Sequence, residues 1–206
     1  HALAAKQGLP PSDPLYAALM SVRTRVALRA LGRGVHFLAA SCVLHLVLTE
    51  TSSPLRGRTK WRCSSAFTGA DTFGAALRAL VPGYTLLSAS EPDKGLRALV
   101  HACYPHLPLE PGASFPADVL DDGAFPTNPY DFSFWGFPCI KHSSLNRTST
   151  EADLVGALDL LERALHRLSG NPPSVFVLEN THSLLSGPRW VLLRITSMLG
   201  SLPYSW

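Results

Sequence analysis

Trp61-Arg62-Cys63-Ser64-Ser65-Ala66-Phe67-Thr68-Gly69-Ala70-Asp71-Thr72 decides the fold of this 206-residue chain. Residues 61–67 predict a strand, Thr68-Gly69-Ala70-Asp71 a turn, and Thr72 the start of an Ala- and Leu-rich helix over 72–81. Outward from this unit the alternation repeats. Residues 84–90 predict a second strand and 93–103 a helix, followed by a proline-rich irregular stretch over 105–116. A short third strand is expected at 117–120 and a fourth at 130–135. Thr150-Glu151-Ala152-Asp153 fits a capping box with Asp in place of Glu. The helix it opens places Leu154, Leu158, Leu161, Leu165 and Leu168 on one face. Residues 174–178 form a β-branched and aromatic run expected to be a buried parallel strand, and 189–199 a further amphipathic helix. Pro203-Tyr204-Ser205-Trp206 looks like the start of one more strand. Strands alternating with helices imply an α/β fold with a doubly wound, mostly parallel sheet and right-handed crossovers.

Composition agrees with that class. A hydrophobic fraction of 46% and a charged fraction of 16% fit a globular chain able to bury one sizeable core. The four cysteines form no C-x-x-C pair and have no His-rich ligand spacing, so no metal site and no disulfide framework is expected. A reducing compartment follows. The sequon Asn146-Arg147-Thr148 would matter only in a secreted protein.

The net charge of +3 divides unevenly. Residues 1–60 carry eight Lys/Arg against two acids, a net of +6, and the remainder a net of −3. Residues 1–60 therefore read as a basic N-terminal extension and 61–206 as the chemical domain. A basic arm can help hold a polyanion, although from charge alone a solvated basic helix is the favoured explanation. Ser12-Asp13-Pro14 predicts a helix start, with the helix continuing to about Leu31. The fourteen-residue apolar run over 35–48 is shorter than the ~20 residues a bilayer requires. It imitates a targeting peptide, but its place within the chain favours a helix or strand packed on the core, and no membrane partner is expected. Residues 51–60 read as a linker. The start at His1 is what a fragment or processed product would show.

Three segments carry chemistry. A glycine turn at Gly69 followed about twenty residues later by Glu91 has the layout of adenosine-ribose binding, in which backbone approaches the ligand and the carboxylate accepts from ribose hydroxyls. Phe67-Thr68-Gly69-Ala70-Asp71 is not G-x-G-x-x-G, and an acid beside the turn suits a pyrophosphate poorly. A cofactor without phosphates, such as S-adenosylmethionine, suits it better, with Asp71 or its neighbours facing a sulfonium or amino group. An ordinary βα turn is the competing explanation. The second segment is Gly136-Phe137-Pro138-Cys139, a cysteine just past a strand end, with Lys141 and His142 near in sequence. A cation or helix N-terminus there would activate the thiol. His142, only three residues along the loop, is not expected to serve as its base. Cys42, Cys63 and Cys103 fit better as small buried hydrophobes. The third segment is Glu179-Asn180 after Val175-Phe176-Val177-Leu178, where half-desolvation would raise the carboxyl pKa and permit it to act as an acid.

Ser65-Ala66-Phe67-Thr68-Gly69, Glu91-Pro92-Asp93-Lys94, Asp118-Val119, Gly136-Phe137-Pro138-Cys139 and Glu179-Asn180-Thr181 stand in the order and rough spacing of the DNA (cytosine-5)-methyltransferase family, which residues 61–206 resemble. The resemblance implies the Rossmann-like sheet of a class I S-adenosylmethionine-dependent methyltransferase, incomplete at its C-terminal end. It implies that Phe67 and Gly69 bed the cofactor, with Asp71, Thr72, Pro92 and Pro138 beside it. Glu91 would hold the ribose and Asp118 face the adenine. Cys139 would attack carbon 6 of a cytosine flipped out of duplex DNA. Glu179 would donate a proton toward ring nitrogen 3, with Pro138 and Asn180 completing the catalytic group.

The chain also departs from the family. The usual glycine pair after the first turn is Asp71-Thr72, and the glutamine usual after Pro-Cys is Ile140, while Ser143 keeps the later serine. The family's arginine-bearing catalytic strand, target-recognition region and last helix are missing. The fragment alone is therefore expected to be inactive or barely active, with the strand at 175–178 at or near an exposed sheet edge. A tRNA cytosine-5 methyltransferase, and an inactive homologue that only binds cofactor or partner, are the two other readings. The enzyme readings imply the nucleus in a eukaryote or the cytoplasm in a bacterium.

Overall fold

Cys63 pairs with Leu86 on one side and with Phe132 on the other, so the strand of the opening unit lies at the centre of the sheet. The structure, a computed structural model, describes residues 7–24, 27, 37–103, 109–137, 150–180 and 183–204. Its strands are β1 (Lys60–Ala66), β2 (Gly83–Ser90), β3 (Leu109–Ser114), β4 (Phe132–Gly136) and β5 (Val175–Glu179). They form one all-parallel sheet in the order β3-β2-β1-β4-β5. The chain builds outward from β1 to β3, then returns to place β4 on the other side of β1. The switch point between β1 and β4 is where open α/β sheets present ligands, beyond the C-terminal ends of the strands. The chain is thus α/β with a parallel sheet flanked by helices, compatible with a Rossmann-like arrangement.

The helices are α1 (Pro14–Ser21), α2 (Phe37–Thr49), α3 (Thr72–Leu80), α4 (Lys94–Cys103), α5 (Glu151–Ser169), α6 (Ser183–Ser186) and α7 (Arg189–Gly200). Phe73 of α3 stacks on Phe132 and Phe134 of β4, and Trp61 of β1 stacks on Phe132. Leu15 and Leu19 of α1 and Phe37 and Leu44 of α2 join this same cluster. The described part of the basic N-terminal segment is thus built into the core. On the other face Trp135 of β4 meets Phe176 of β5, above Leu158, Leu161, Leu165 and Leu168 of α5. Each fully buried leucine contributes about 2 kcal/mol, which is why the three-and-four spacing of α5 decides where it docks. Its capping box forms: Thr150 Oγ1 accepts from the Asp153 N–H, and Asp153 Oδ2 accepts from the Thr150 N–H.

Several boundaries differ from those expected. The third strand is Leu109–Ser114, within the stretch expected to be irregular, and residues 117–120 are bends and turns. Pro111 and Gly112 hide the strand in the sequence, but an edge position tolerates a missing ladder donor. β5 was expected to be buried; at the opposite edge of the sheet, only its Phe176 is. α1 ends at Ser21 because Val22 is extended; Thr24 and Ala27 are helical again, and Leu31 lies outside the described residues. The apolar run is the helix α2. Pro203 and Tyr204 lie in no strand, and Tyr204 Oη donates to the Pro173 carbonyl. Among the described residues, no helix is long and apolar enough to cross a membrane.

Candidate active site

Three residues between β1 and α3 adopt left-handed backbone: Phe67 (φ 53°), Gly69 (φ 59°) and Asp71 (φ 58°). This kinked turn is closed by Asp71 N–H donating to the Thr68 carbonyl (3.0 Å) and anchored to β2 by Thr68 N–H donating to the Ser90 carbonyl (2.9 Å). Glu91, at the end of β2, is buried. Its Oε2 accepts from the Gly69 N–H and its Oε1 from the Asp93 N–H, both at 2.9 Å. The Gly69–Glu91 pair anticipated from spacing is therefore in direct contact. Each carboxylate oxygen spends one acceptor site on backbone and keeps another for a ligand. Arg97 Nη1 holds the Glu91 and Pro92 carbonyls, which fixes the strand exit.

Beside Glu91, the hydroxyls of Thr68 and Ser90 are buried and have no hydrogen-bond partner among the described residues. With Glu91, Arg97 and Phe115 they line a small recess of about 10 Å³, room for roughly one water molecule. Buried hydroxyls left unpaired cost free energy, so a polar group entering the recess would be welcomed. Sequence reading missed both, because a serine or threonine at a strand end carries no signal of its own.

The other two segments meet at Gly136. Gly136 pairs in register with Glu179. A Cβ on it would lie 3.2 Å from the Phe67 carbonyl oxygen and 3.8 Å from Glu179 Oε2. Glycine is favoured there by close approach: the Phe67 carbonyl, the end of β4 and the Glu179 carboxylate lie beside one another. Phe137 is buried edge-on against Phe67. Asn180 Nδ2 donates to the Phe137 carbonyl at 3.1 Å, so the residue after Glu179 ties down the backbone leading into Pro138. Pro138 and Cys139, with Lys141 and His142, lie outside the described residues, as do Asn146 and Thr181.

Burial alone pushes the Glu179 carboxyl above its ordinary 4.5. Its proton is then held more tightly in the folded chain than in the unfolded one. That contribution to stability is complete below the unfolded value and is lost as pH rises through the folded one. Glu179→Gln, which cannot ionise, is expected to melt at a higher temperature than the native chain at pH 8, with the difference shrinking toward pH 4. Thermal melts at both pH values check this; a variant less stable at pH 8 would show that a partner holds the anion.

Two expected cofactor residues are placed differently. Asp71 is buried, and its carboxylate faces the protein: Oδ2 accepts from Arg78 Nη1 at 2.9 Å, and it overlies Gly74, where a Cβ would collide with the carboxylate. Burial pushes the Asp71 carboxyl up, opposed by Arg78. It does not present a free charge to a sulfonium, because the turn needed a left-handed residue and Arg78 neutralises the one supplied. Asp118 is exposed in the turn after β3, where its Oδ1 accepts from the Leu120 N–H. Thr72 is buried at the start of α3, and Pro92 is exposed. Sequence reading also missed Arg78 as Asp71's partner, although Gly74 inside a helix was a signal of close approach.

Glu91 with the two orphan hydroxyls thus makes a small polar recess at the ends of β1 and β2, able to take a single polar group. Glu179 with the tethered Phe137 backbone makes a separate acidic corner at the ends of β4 and β5. Among the described residues, no group of His, Cys, Asp and Glu could hold a metal ion. No family model and no curated protein matches this chain.

Proposed function

We propose that the chain carries the catalytic half of an S-adenosylmethionine-dependent methyltransferase acting on carbon 5 of cytosine in DNA. The observation that carries the reading is the convergence at Gly136. It brings the backbone entering Pro138-Cys139, the Glu179 carboxylate and the Phe67–Asp71 turn to one sheet end. The resemblance supplies the roles. Glu91 would hold the cofactor's ribose, with Phe67 and Gly69 beneath it. The cofactor, when bound, supplies an electrophilic methyl group. Cys139 as thiolate adds to carbon 6 of the flipped-out base. Glu179, whose carboxyl burial pushes above its ordinary value, would give a proton to ring nitrogen 3, so that the electron pair collects on carbon 5.

Titration calorimetry with S-adenosylmethionine on the chain itself, followed by transfer of a labelled methyl group to duplex DNA and to tRNA with the family's arginine-bearing strand and recognition region supplied, tests this. Binding is expected, weakened about tenfold or more in Glu91→Ala through loss of charge-assisted hydrogen bonds, with label entering DNA cytosine. No binding overturns the reading. Label in tRNA alone reassigns the substrate, and binding without transfer to either points to a binding module.

A further inference from the structure

Arg78 of α3 reaches two carboxylates at once. Its Nε and Nη2 donate to the two oxygens of Asp13, each at 3.0 Å, and its Nη1 donates to Asp71 Oδ2 at 2.9 Å. All three side chains are nearly closed to solvent, at 11% exposure for Arg78, 7% for Asp13 and 6% for Asp71. Asp13 caps α1 through the Leu15 N–H, so it is fixed from its own side. A guanidinium is a rigid planar fork. Once Asp13 engages one edge of it, the direction of Nη1 is set, and with it the position of the Asp71 carboxylate.

That matters because Asp71 closes the turn under Glu91 and occupies a left-handed conformation that costs a residue with a Cβ about 1 kcal/mol or more. The related family has glycine here. In this chain the strain is offset by the ion pair, and Gly74 leaves the space that the carboxylate fills. We propose that Asp13 and Arg78 are positioning residues of the cofactor turn, so that a helix nearly sixty residues upstream sets affinity for the methyl donor. The proposal rests on the methyltransferase reading for its ligand and on the geometry alone for the clamp.

Asp13→Asn keeps a capping oxygen and removes the charge. The expected result is a dissociation constant for S-adenosylmethionine raised about tenfold, as for loss of one hydrogen bond between charged groups. In the ligand-free chain, amide exchange at Gly69 and Asp71 is expected to quicken by about as much, while that of Val175 in β5 and the urea midpoint stay near native. Unchanged affinity overturns the proposal. Exchange accelerated equally at Val175 overturns it too, because Asp13 would then be merely structural. If the native chain does not bind S-adenosylmethionine at all, the functional reading fails, and exchange at Gly69 and Asp71 still decides whether the clamp exists.

Discussion

Arg78→Ala is expected to cost about 3–5 kcal/mol of folding free energy, the loss typical when one partner is removed from a buried ion pair. Against the roughly 5–15 kcal/mol of a typical domain, that leaves little margin. The mechanism is not the lost attraction but the two carboxylates left behind, Asp13 and Asp71, both buried and already sharing a single cation. Urea unfolding followed by the fluorescence of buried Trp61 and Trp135 measures the loss. The pH dependence identifies the cause. Without Arg78 the two acids hold protons more tightly when folded than when unfolded, so the variant's deficit should be largest near pH 7 and shrink as pH falls through the carboxylate range. A deficit independent of pH would assign the effect to packing of the arginine stem instead. Replacing Asp13 and Asp71 by Asn together with Arg78→Met should recover much of the loss, since a neutral cluster owes no desolvation of charge.

With the family's arginine-bearing strand and recognition region supplied, Cys139→Ser is expected to abolish the covalent complex with duplex DNA containing 5-fluorocytosine. The rate of adduct formation should fall by at least about a thousandfold, because a hydroxyl at its ordinary pKa is a far weaker nucleophile than a thiolate. A denaturing gel resolves the adduct, and mass mapping of the linked peptide identifies the thiol. Cys63 is no substitute: it is fully buried in β1, and burial pushes its thiol well above the ordinary range. Cys42, expected to be buried, is exposed on α2. An adduct undiminished by Cys139→Ser would remove Cys139 as nucleophile and leave Cys42 or Cys103 to be mapped.

Local pattern determined much of this molecule. The turn after β1, the apolar spacing of α5, the Thr150–Asp153 box and the register of turn and acid between Gly69 and Glu91 could all be read in the sequence, because each rests on contacts within about twenty residues or on a period that packing enforces. The place of β3 could not, and β5, read to within a residue at each end, is less buried than its apolar run suggests. Leu109–Ser114 is a strand because β2 offers it a ladder at a sheet edge, where proline and glycine are tolerated. β5 stays half-buried because no described strand lies beyond it.

The site divides in the same way. Sequence alone named Glu91, Glu179 and Gly136-Phe137-Pro138-Cys139 as chemistry at strand ends. Only the tertiary structure showed that Gly136 is the point where Phe67 and Glu179 meet, and that Asn180 holds the Phe137 carbonyl. Asp71 shows the difference most sharply. In sequence it is an acid beside a glycine turn, free to face a ligand's positive charge. In the fold it faces Arg78, which Asp13 grips from the other side. A side chain's charge is written in the sequence; what that charge faces depends on partners brought together across 65 residues, and burial makes that pairing decisive.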